Sequence, residues 1–174
     1  MERTDASPVR TAVLDAGPII HLDELGCLSL LSDFQELFVP DAVWKEVERH
    51  RPSALSCGHI TFIKQQAPPL SSALYALCEA FNLDSGEQEA LAFCPLHPGA
   101  ILFTDDAAVR LAAKAAGIRA FGTLGILIRV IRRRQLTPTE VAGLLEQIPS
   151  RTTLFIRKIL LREIIEKVSK SNGI

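Results

Sequence analysis

The sequence has little that would indicate a disulfide-bonded, zinc-binding or membrane protein. Its four cysteines, Cys27, Cys57, Cys78 and Cys94, include no C-x-x-C pair, which argues against a zinc knuckle and a redox motif. We expect reduced, mostly buried thiols. The four histidines show no ligand spacing for zinc. No apolar run is long and uncharged enough to span a bilayer, and the N-terminus has no apolar signal region. These absences predict no membrane association and a cytoplasmic location.

Charge of one sign is also lacking. The 19 basic and 20 acidic residues give a formal net charge of -1, so a nucleic-acid function would have to depend on a local basic patch. A chain of 174 residues that is 48% hydrophobic predicts one ordinary globular domain with a short appendage.

Short apolar runs alternate with amphipathic stretches along the chain. The runs predict strands at 11–15, 37–39, 60–64, 100–104 and 118–121, and the run at 60–64 is expected at a sheet edge because it is short and followed by prolines. Helices are predicted at 18–31, 42–50, 70–81, 87–96, 107–116 and from about 123 to the arginines near 132. Asp41 is predicted to cap the helix at 42–50, and the segments 82–86 and 122–125 are predicted to be turns. This alternation predicts an α/β fold, a three-layer α/β/α sandwich around four or five mainly parallel strands.

The end of the chain has a different pattern. Thr137, followed by Pro138 and Glu140, is a strong helix start, and that helix is expected to end near Ile148. Residues 154–168 predict a further helix whose apolar face is too broad for a free surface helix. We expect it to fold back on its own domain in preference to docking on another chain. The predicted units are a nuclease-like domain at 1–135 and a C-terminal helical extension at 136–174.

Carboxylates occur at the ends of predicted strands, inside the predicted helix at 42–50 and at the start of another helix. These are Asp15, Glu46, Glu87, Glu89, Asp105 and Asp106. Because parallel strands end at one edge of a sheet, Asp15 and the pair at 105–106 converge if their strands are neighbours. Like charges at close range are costly unless a cation lies between them, and oxygen-only clusters suit Mg²⁺ or Mn²⁺. Metal-assisted phosphodiester hydrolysis is the natural chemistry of such a site.

Each acid also has a structural interpretation. Asp15 precedes Gly17 and Pro18 and would make a good helix cap, and Asp106 could cap the next helix. Glu87 and Glu89 could interact with a helix dipole. Taken singly, these interpretations are favoured, and only the joint placement of the acids favours a site.

Five segments together carry a family resemblance. They are Val-Leu-Asp-Ala-Gly-Pro-Ile-Ile-His-Leu at 13–22, Val-Pro-Asp-Ala-Val-Trp-Lys-Glu-Val at 39–47, Leu-Asp-Ser-Gly-Glu-Gln-Glu-Ala-Leu-Ala at 83–92, Leu-Phe-Thr-Asp-Asp-Ala-Ala-Val-Arg at 102–110 and Gly-Thr-Leu-Gly-Ile-Leu at 122–127. In this order they resemble a PIN domain of the VapC-like prokaryotic branch. The resemblance covers about residues 11–135.

The resemblance implies a Mg²⁺- or Mn²⁺-dependent ribonuclease, often a toxin held by a cognate antitoxin. Carried over by position, the implied catalytic residues are Asp15, Glu46, Glu87 and Asp106, the implied metal ligands are Asp15, Glu87, Asp105 and Asp106, and the supporting residues are Thr104 and Glu89. Glu87 departs from the pattern, since many toxin members carry Asp there. One or two ions therefore remain possible. The expected partners are RNA, an antitoxin and further copies of the chain in a homodimer or higher homo-oligomer.

Two further points stay open. Arg129, Arg132, Arg133 and Arg134 could hold an RNA backbone, although a solvated helix end explains them slightly better. The alternative function is a catalytically inert PIN-like module that recruits a protein or RNA partner. A receiver-like regulator is disfavoured, because its acid pair would follow the first strand instead of a late one.

Overall fold

The computed structural model describes residues 11–170, which fold around a five-stranded parallel sheet. The strands are β1 (Thr11–Leu14), β2 (Glu36–Pro40), β3 (Ile63–Gln65), β4 (Ile101–Phe103) and β5 (Ala120–Phe121). Their order is β3-β2-β1-β4-β5, and every neighbouring pair is parallel. The predicted α/β/α fold is confirmed, and β3 lies at an edge as expected.

Helices fill the connections between strands. They are α1 (Ala16–Glu24), α2 (Asp41–His50), α3 (Ser72–Phe81), α4 (Ser85–Phe93), α5 (Ala107–Ala115), α6 (Thr123–Arg132), α7 (Pro138–Arg151) and α8 (Lys158–Lys170). Short 3-10 helices occupy Leu28–Leu31, Pro52–Ser56 and Cys94–Leu96. Within residues 11–170, no helix is long and apolar enough to cross a membrane.

The two faces of the sheet are buried by different helices, because side chains alternate along each strand. Ala12 and Leu14 of β1 face a core that includes residues of α1, α2, α6, α7 and α8. Val13 points the other way, into a core with α3, α4 and α5. The central strands are therefore apolar on both sides, and polar side chains are confined to their ends. This is the reason that the carboxyl edge of the sheet carries the site.

The C-terminal segment folds back as predicted. Leu145 of α7 and both Leu161 and Val168 of α8 are buried in the same core as β1. The helix expected at 154–168 begins later, at Lys158, so this boundary prediction was wrong. Thr152 explains the delay, because its Oγ1 donates to the Ile148 carbonyl and accepts the Leu154 N–H, a local arrangement that competes with helix. The division at residue 135 stays a prediction, and its outermost parts, 1–10 and 171–174, lie outside the described residues.

Candidate active site

Strand register places Asp15 beside Thr104 at the carboxyl edge of the sheet. Leu14 pairs with Phe103, and the Asp15 N–H donates to the Phe103 carbonyl at 2.9 Å. Thr104 is fully buried. Its Oγ1 donates to Asp15 Oδ2 at 2.7 Å and accepts the Asp106 N–H at 3.2 Å. One hydroxyl therefore connects the acids that follow β1 and β4.

The Asp15 carboxylate is buried without a positive partner among the groups that act on it. Its Oδ1 accepts the Ala16 N–H at 2.8 Å, so Asp15 also caps α1. Burial raises its pKa to about 6, against the hydrogen bonds from Thr104 and Ala16, and the Glu46 and Asp84 carboxylates add to the increase. The capping and site interpretations of Asp15 are thus compatible.

A second group of acids comes from the start of α4. Asp84 Oδ1 accepts the Glu87 N–H at 3.0 Å, and Glu87 Oε2 accepts the Asp84 N–H at 2.9 Å, which completes a capping box. Burial raises the pKa of Glu87 to about 7, and the Asp84, Asp106 and Asp15 carboxylates contribute. Glu87 therefore lies within electrostatic reach of acids from three segments.

Glu46 reaches the same region from α2. Burial raises its pKa, and the Asp84 carboxylate adds to the effect, whereas His50 and Arg49 lower it. Gly86 lies between the two carboxylates, since a Cβ there would be in ordinary contact with Glu46 Oε2 at 3.7 Å and with Asp84 Oδ1 at 3.4 Å. We call these mutually interacting residues the acidic cluster: Asp15, Glu46, Asp84, Glu87 and Asp106.

The donor set of the acidic cluster fits Mg²⁺ or Mn²⁺ by its chemistry. All its donors are carboxylate oxygens, and the raised pKa values of Asp15 and Glu87 report a burial and repulsion that a bound cation would relieve. The side chains do not form a closed ligand shell. In the described part of the chain, no three His, Cys, Asp or Glu side chains are close enough together to hold a metal ion. Helix capping accounts for part of this, since it uses one oxygen each of Asp84, Glu87 and Asp106.

Asp105, predicted as a metal ligand, faces α1 and α6 instead of the acidic cluster. Its Oδ2 accepts from His21 Nδ1 at 2.8 Å and Thr123 Oγ1 at 2.6 Å, and its Oδ1 accepts the Thr123 N–H at 2.7 Å. Burial alone raises the pKa of Asp105, but these hydrogen bonds outweigh it and the net pKa is lowered. Gly122 is required here, because a Cβ would lie 2.5 Å from Asp105 Oδ1.

Glu89, predicted as a supporting residue, joins two helices of the site. Its Oε2 accepts the Ala42 N–H at 2.8 Å, so α4 caps the start of α2. The sequence predicted Asp41 as that cap, and this was wrong, because Asp41 is the first residue of α2 and follows Pro40 at the cap position. Glu89 thereby fixes the helix that carries Glu46.

The structure does not bring the four predicted RNA-binding arginines to the acidic cluster. Arg129 and Arg133 pair with Asp33 at 2.6 Å and 3.2 Å, and Arg129 also lies over the Phe34 ring at 4.2 Å. Arg132 and Arg134 are exposed at the same end of α6. Thr123, which contacts Asp105, starts that helix, so Arg129 lies roughly 9 Å and Arg132 roughly 13 Å away along its axis.

Sequence reasoning missed three residues of the site. Asp84 had a usable signal, the Asp-x-x-Glu spacing of a capping box, which was interpreted only as a turn. Thr123 was interpreted as part of a tight turn. His21 contacts a residue 84 positions away, and no local pattern predicts that contact.

A parallel α/β sheet with carboxylates at the carboxyl ends of its strands defines a class of proteins whose site lies at that edge and can hold a divalent cation. The family model that is described as a PIN domain matches residues 11–170. The chain belongs to the PIN-domain family, whose members are generally nucleases that use divalent metal ions. No curated protein and no solved structure matches the chain significantly.

Proposed function

We propose that this protein is a Mg²⁺- or Mn²⁺-dependent endoribonuclease that hydrolyses RNA phosphodiester bonds at the acidic cluster. The observation that carries the proposal is the convergence of five carboxylates from four segments on one edge of the sheet, with the pKa of Asp15 raised to about 6 and that of Glu87 to about 7. It is costly to bury carboxylates and to hold them near one another, and the raised pKa values that result are typical of sites that bind a cation or transfer protons.

The chain's own residues divide the work. Asp15, Glu87 and Asp106 would hold the ion, with Glu46 and Asp84 completing the negative field. When bound, the ion supplies charge stabilisation and a lowered pKa for the attacking water. Without the ion, Glu87, with a pKa of about 7, is partly protonated near neutral pH, and Asp15, with a pKa of about 6, gains a proton in mildly acidic solution. Both carboxyls must be ionised when the ion binds.

Other residues position this set. Thr104 fixes one Asp15 oxygen and the backbone of Asp106. Asp105 holds the loop after β4 to α1 through His21 and to α6 through Thr123. These hydrogen bonds keep the acids in place.

The proposal extends to the biological setting of the enzyme. The motif resemblance to the VapC-like branch supports a toxin that acts on RNA in the cytoplasm and is held by a cognate antitoxin. Exposed apolar side chains of α8 support a protein partner or self-association, since Ile159 is 73% and Leu160 43% exposed. A homodimer or higher homo-oligomer is the form we expect.

Cleavage of an RNA panel tests the activity. Full-length protein is incubated with labelled RNAs in Mg²⁺, in Mn²⁺ and in chelator, beside Asp15→Asn and Glu46→Gln. Glu48→Gln is the matched control, because Glu48 is an exposed acid on the same helix as Glu46. We expect cleavage only with metal, little by the two site variants and full cleavage by the control. Equal cleavage by Asp15→Asn, or none by wild type, would reject the proposal in favour of an inert binding module.

A further inference from the structure

A groove along β5 begins beside the acidic cluster and combines exposed aromatic rings with positive charges. It starts at Asp105 and is lined by Arg110, Phe121, Phe155 and Arg157. It continues past Phe121 to Lys114 and Arg119. We call this surface the β5 groove. Asp105 is next in sequence to Asp106, so one end of the groove adjoins the proposed ligands.

Two phenylalanines are left exposed on this surface. Phe155 is 87% exposed and Phe121 is 47% exposed. Neither ring gains the free energy of burial that its size allows, which is roughly 1.5–3 kcal/mol for a fully buried side chain. Exposed rings beside positive charges are what single-stranded nucleic-acid surfaces present, because every unpaired base offers a face on which a ring can stack.

The groove is positive although the whole chain is not. Arg110 donates to the Thr104 carbonyl at 3.0 Å and Arg119 donates to the Gly99 carbonyl, and neither neutral acceptor cancels the charge. The ion pairs found within residues 11–170 involve none of the four basic side chains of the groove. Among the described residues that line it, the carboxylate is Asp105, whose two oxygens already accept hydrogen bonds. Charge complementarity therefore favours a polyanion as the occupant.

We propose that the β5 groove binds a single-stranded segment of RNA next to the cleaved phosphate, with bases stacked on its two phenylalanines and phosphates held by its four basic side chains. This inference rests on the proposed ribonuclease function and adds the surface that the RNA occupies, where bases stacked on the two rings must be unpaired. It places the RNA path along β5, beside α5 and the segment 154–157 that precedes α8, and not at the arginines that end α6.

Binding measured without metal tests the groove separately from cleavage. The full-length protein is titrated in chelator against a labelled single-stranded RNA and its duplex, by fluorescence anisotropy at several salt concentrations. Phe121→Leu and Phe155→Leu retain apolar volume and remove the aromatic face. Lys114→Gln and Arg157→Gln remove charge, and Arg132→Gln and Arg162→Gln are matched controls outside the groove. Thermal unfolding by circular dichroism verifies that each variant is folded.

We expect wild type to bind the single strand more tightly than the duplex. The double phenylalanine variant should bind the single strand about fivefold or more weakly. Each charge variant should reduce the slope of log K against log salt by about 0.7, while the controls leave it unchanged. The inference would be overturned if the phenylalanine variants bound RNA as tightly as wild type, or if wild type bound the duplex as tightly as the single strand. It would also be overturned if those variants changed the oligomeric state and left RNA binding unchanged. If wild type cleaves RNA with metal but the groove variants bind RNA as wild type does, only this inference is overturned. If wild type binds the single strand through the groove but cleaves no RNA with metal, only the proposed nuclease function is overturned.

Discussion

Thr104 Oγ1 donates a hydrogen bond of 2.7 Å to Asp15 Oδ2, and this buried contact joins two residues 89 positions apart. It connects the ends of two neighbouring strands and holds the most buried acid of the site in one orientation. The same hydroxyl accepts the Asp106 N–H, so a single side chain sets the relation between two proposed metal ligands.

Thr104→Val should therefore impair both stability and site geometry. Valine retains the shape of threonine but leaves the Asp106 N–H and Asp15 Oδ2 without this partner, so we expect a loss of about 2 kcal/mol in the free energy of unfolding. Urea unfolding measures it. The conservative variant Thr104→Ser should recover most of both properties, and exposed Thr61→Val serves as a control. A fully stable and active Thr104→Val would contradict the role assigned to the hydroxyl.

Asp15→Asn should stabilise the metal-free protein at neutral pH. The raised pKa means that folding favours the protonated acid, so its stabilising contribution is complete below pH 3.8 and is lost as the pH rises through about 6. The change in pKa from 3.8 to about 6 corresponds to about 3 kcal/mol in the free energy of unfolding, and the altered hydrogen bonds of asparagine reduce the expected gain by roughly 1 kcal/mol. Urea unfolding in chelator at pH 4 and pH 7.5 measures this. A variant less stable than wild type at pH 7.5 would argue against the buried, unneutralised charge.

Metal affinity should increase with pH. Asp15 and Glu87, with pKa values of about 6 and about 7, must lose protons before they bind a cation. Calorimetric titration with Mn²⁺ should show the apparent affinity rising from pH 5.5 to pH 7.5 and levelling above it, with proton release on binding. The same affinity across this range would exclude these carboxyls as ligands.

Asp84 should prove to be part of the site although the sequence did not indicate it. Asparagine is as good a cap as aspartate, so Asp84→Asn should keep α4 stable to within about 0.5 kcal/mol while it removes a charge from the acidic cluster. We expect weaker Mn²⁺ binding and lower pKa values for Asp15 and Glu87. Asp84→Ala should lose the cap as well, at about 1 kcal/mol. If Asp84→Asn binds Mn²⁺ as tightly as wild type does, Asp84 does not contribute to metal binding by the acidic cluster.

Asp105 and Asp106 should respond differently to the same substitution. Asp105→Asn disrupts hydrogen bonds with His21 and Thr123, so a loss of about 2 kcal/mol or more in the free energy of unfolding is expected. Its lowered pKa means that the wild-type contribution is present above pH 3.8 and disappears as the pH falls through the folded value. Asp106→Asn should keep the cap of α5 and lose mainly metal binding. If Asp105→Asn mainly weakened metal binding and Asp106→Asn mainly lowered the free energy of unfolding, the structural and metal-binding roles assigned to these residues would have to be exchanged.

Much of the fold was predictable because its signals are local. The alternation around Val13 and Leu102 that buries both faces of the sheet is a property of neighbouring residues, and so is the capping box at Thr137. The predictions that were wrong concern side-chain hydrogen bonds that compete with the expected caps and helix starts. Glu89 of α4 supplies the cap expected from Asp41, and Thr152 delays the start of α8.

The sequence by itself determined that acids would follow β1 and β4, because strand ends can be recognised from a few adjacent residues. The resemblance of its motifs to the PIN family selected Asp15, Glu46, Glu87 and Asp106 by their positions in those motifs. Only the tertiary structure decided which of these acids interact. It added Asp84 to the acidic cluster, directed Asp105 toward His21 and Thr123, and separated the arginines of α6 from the site. The physical reason is that strand order and register bring distant segments together, and burial then shifts the pKa values of the carboxyls that meet.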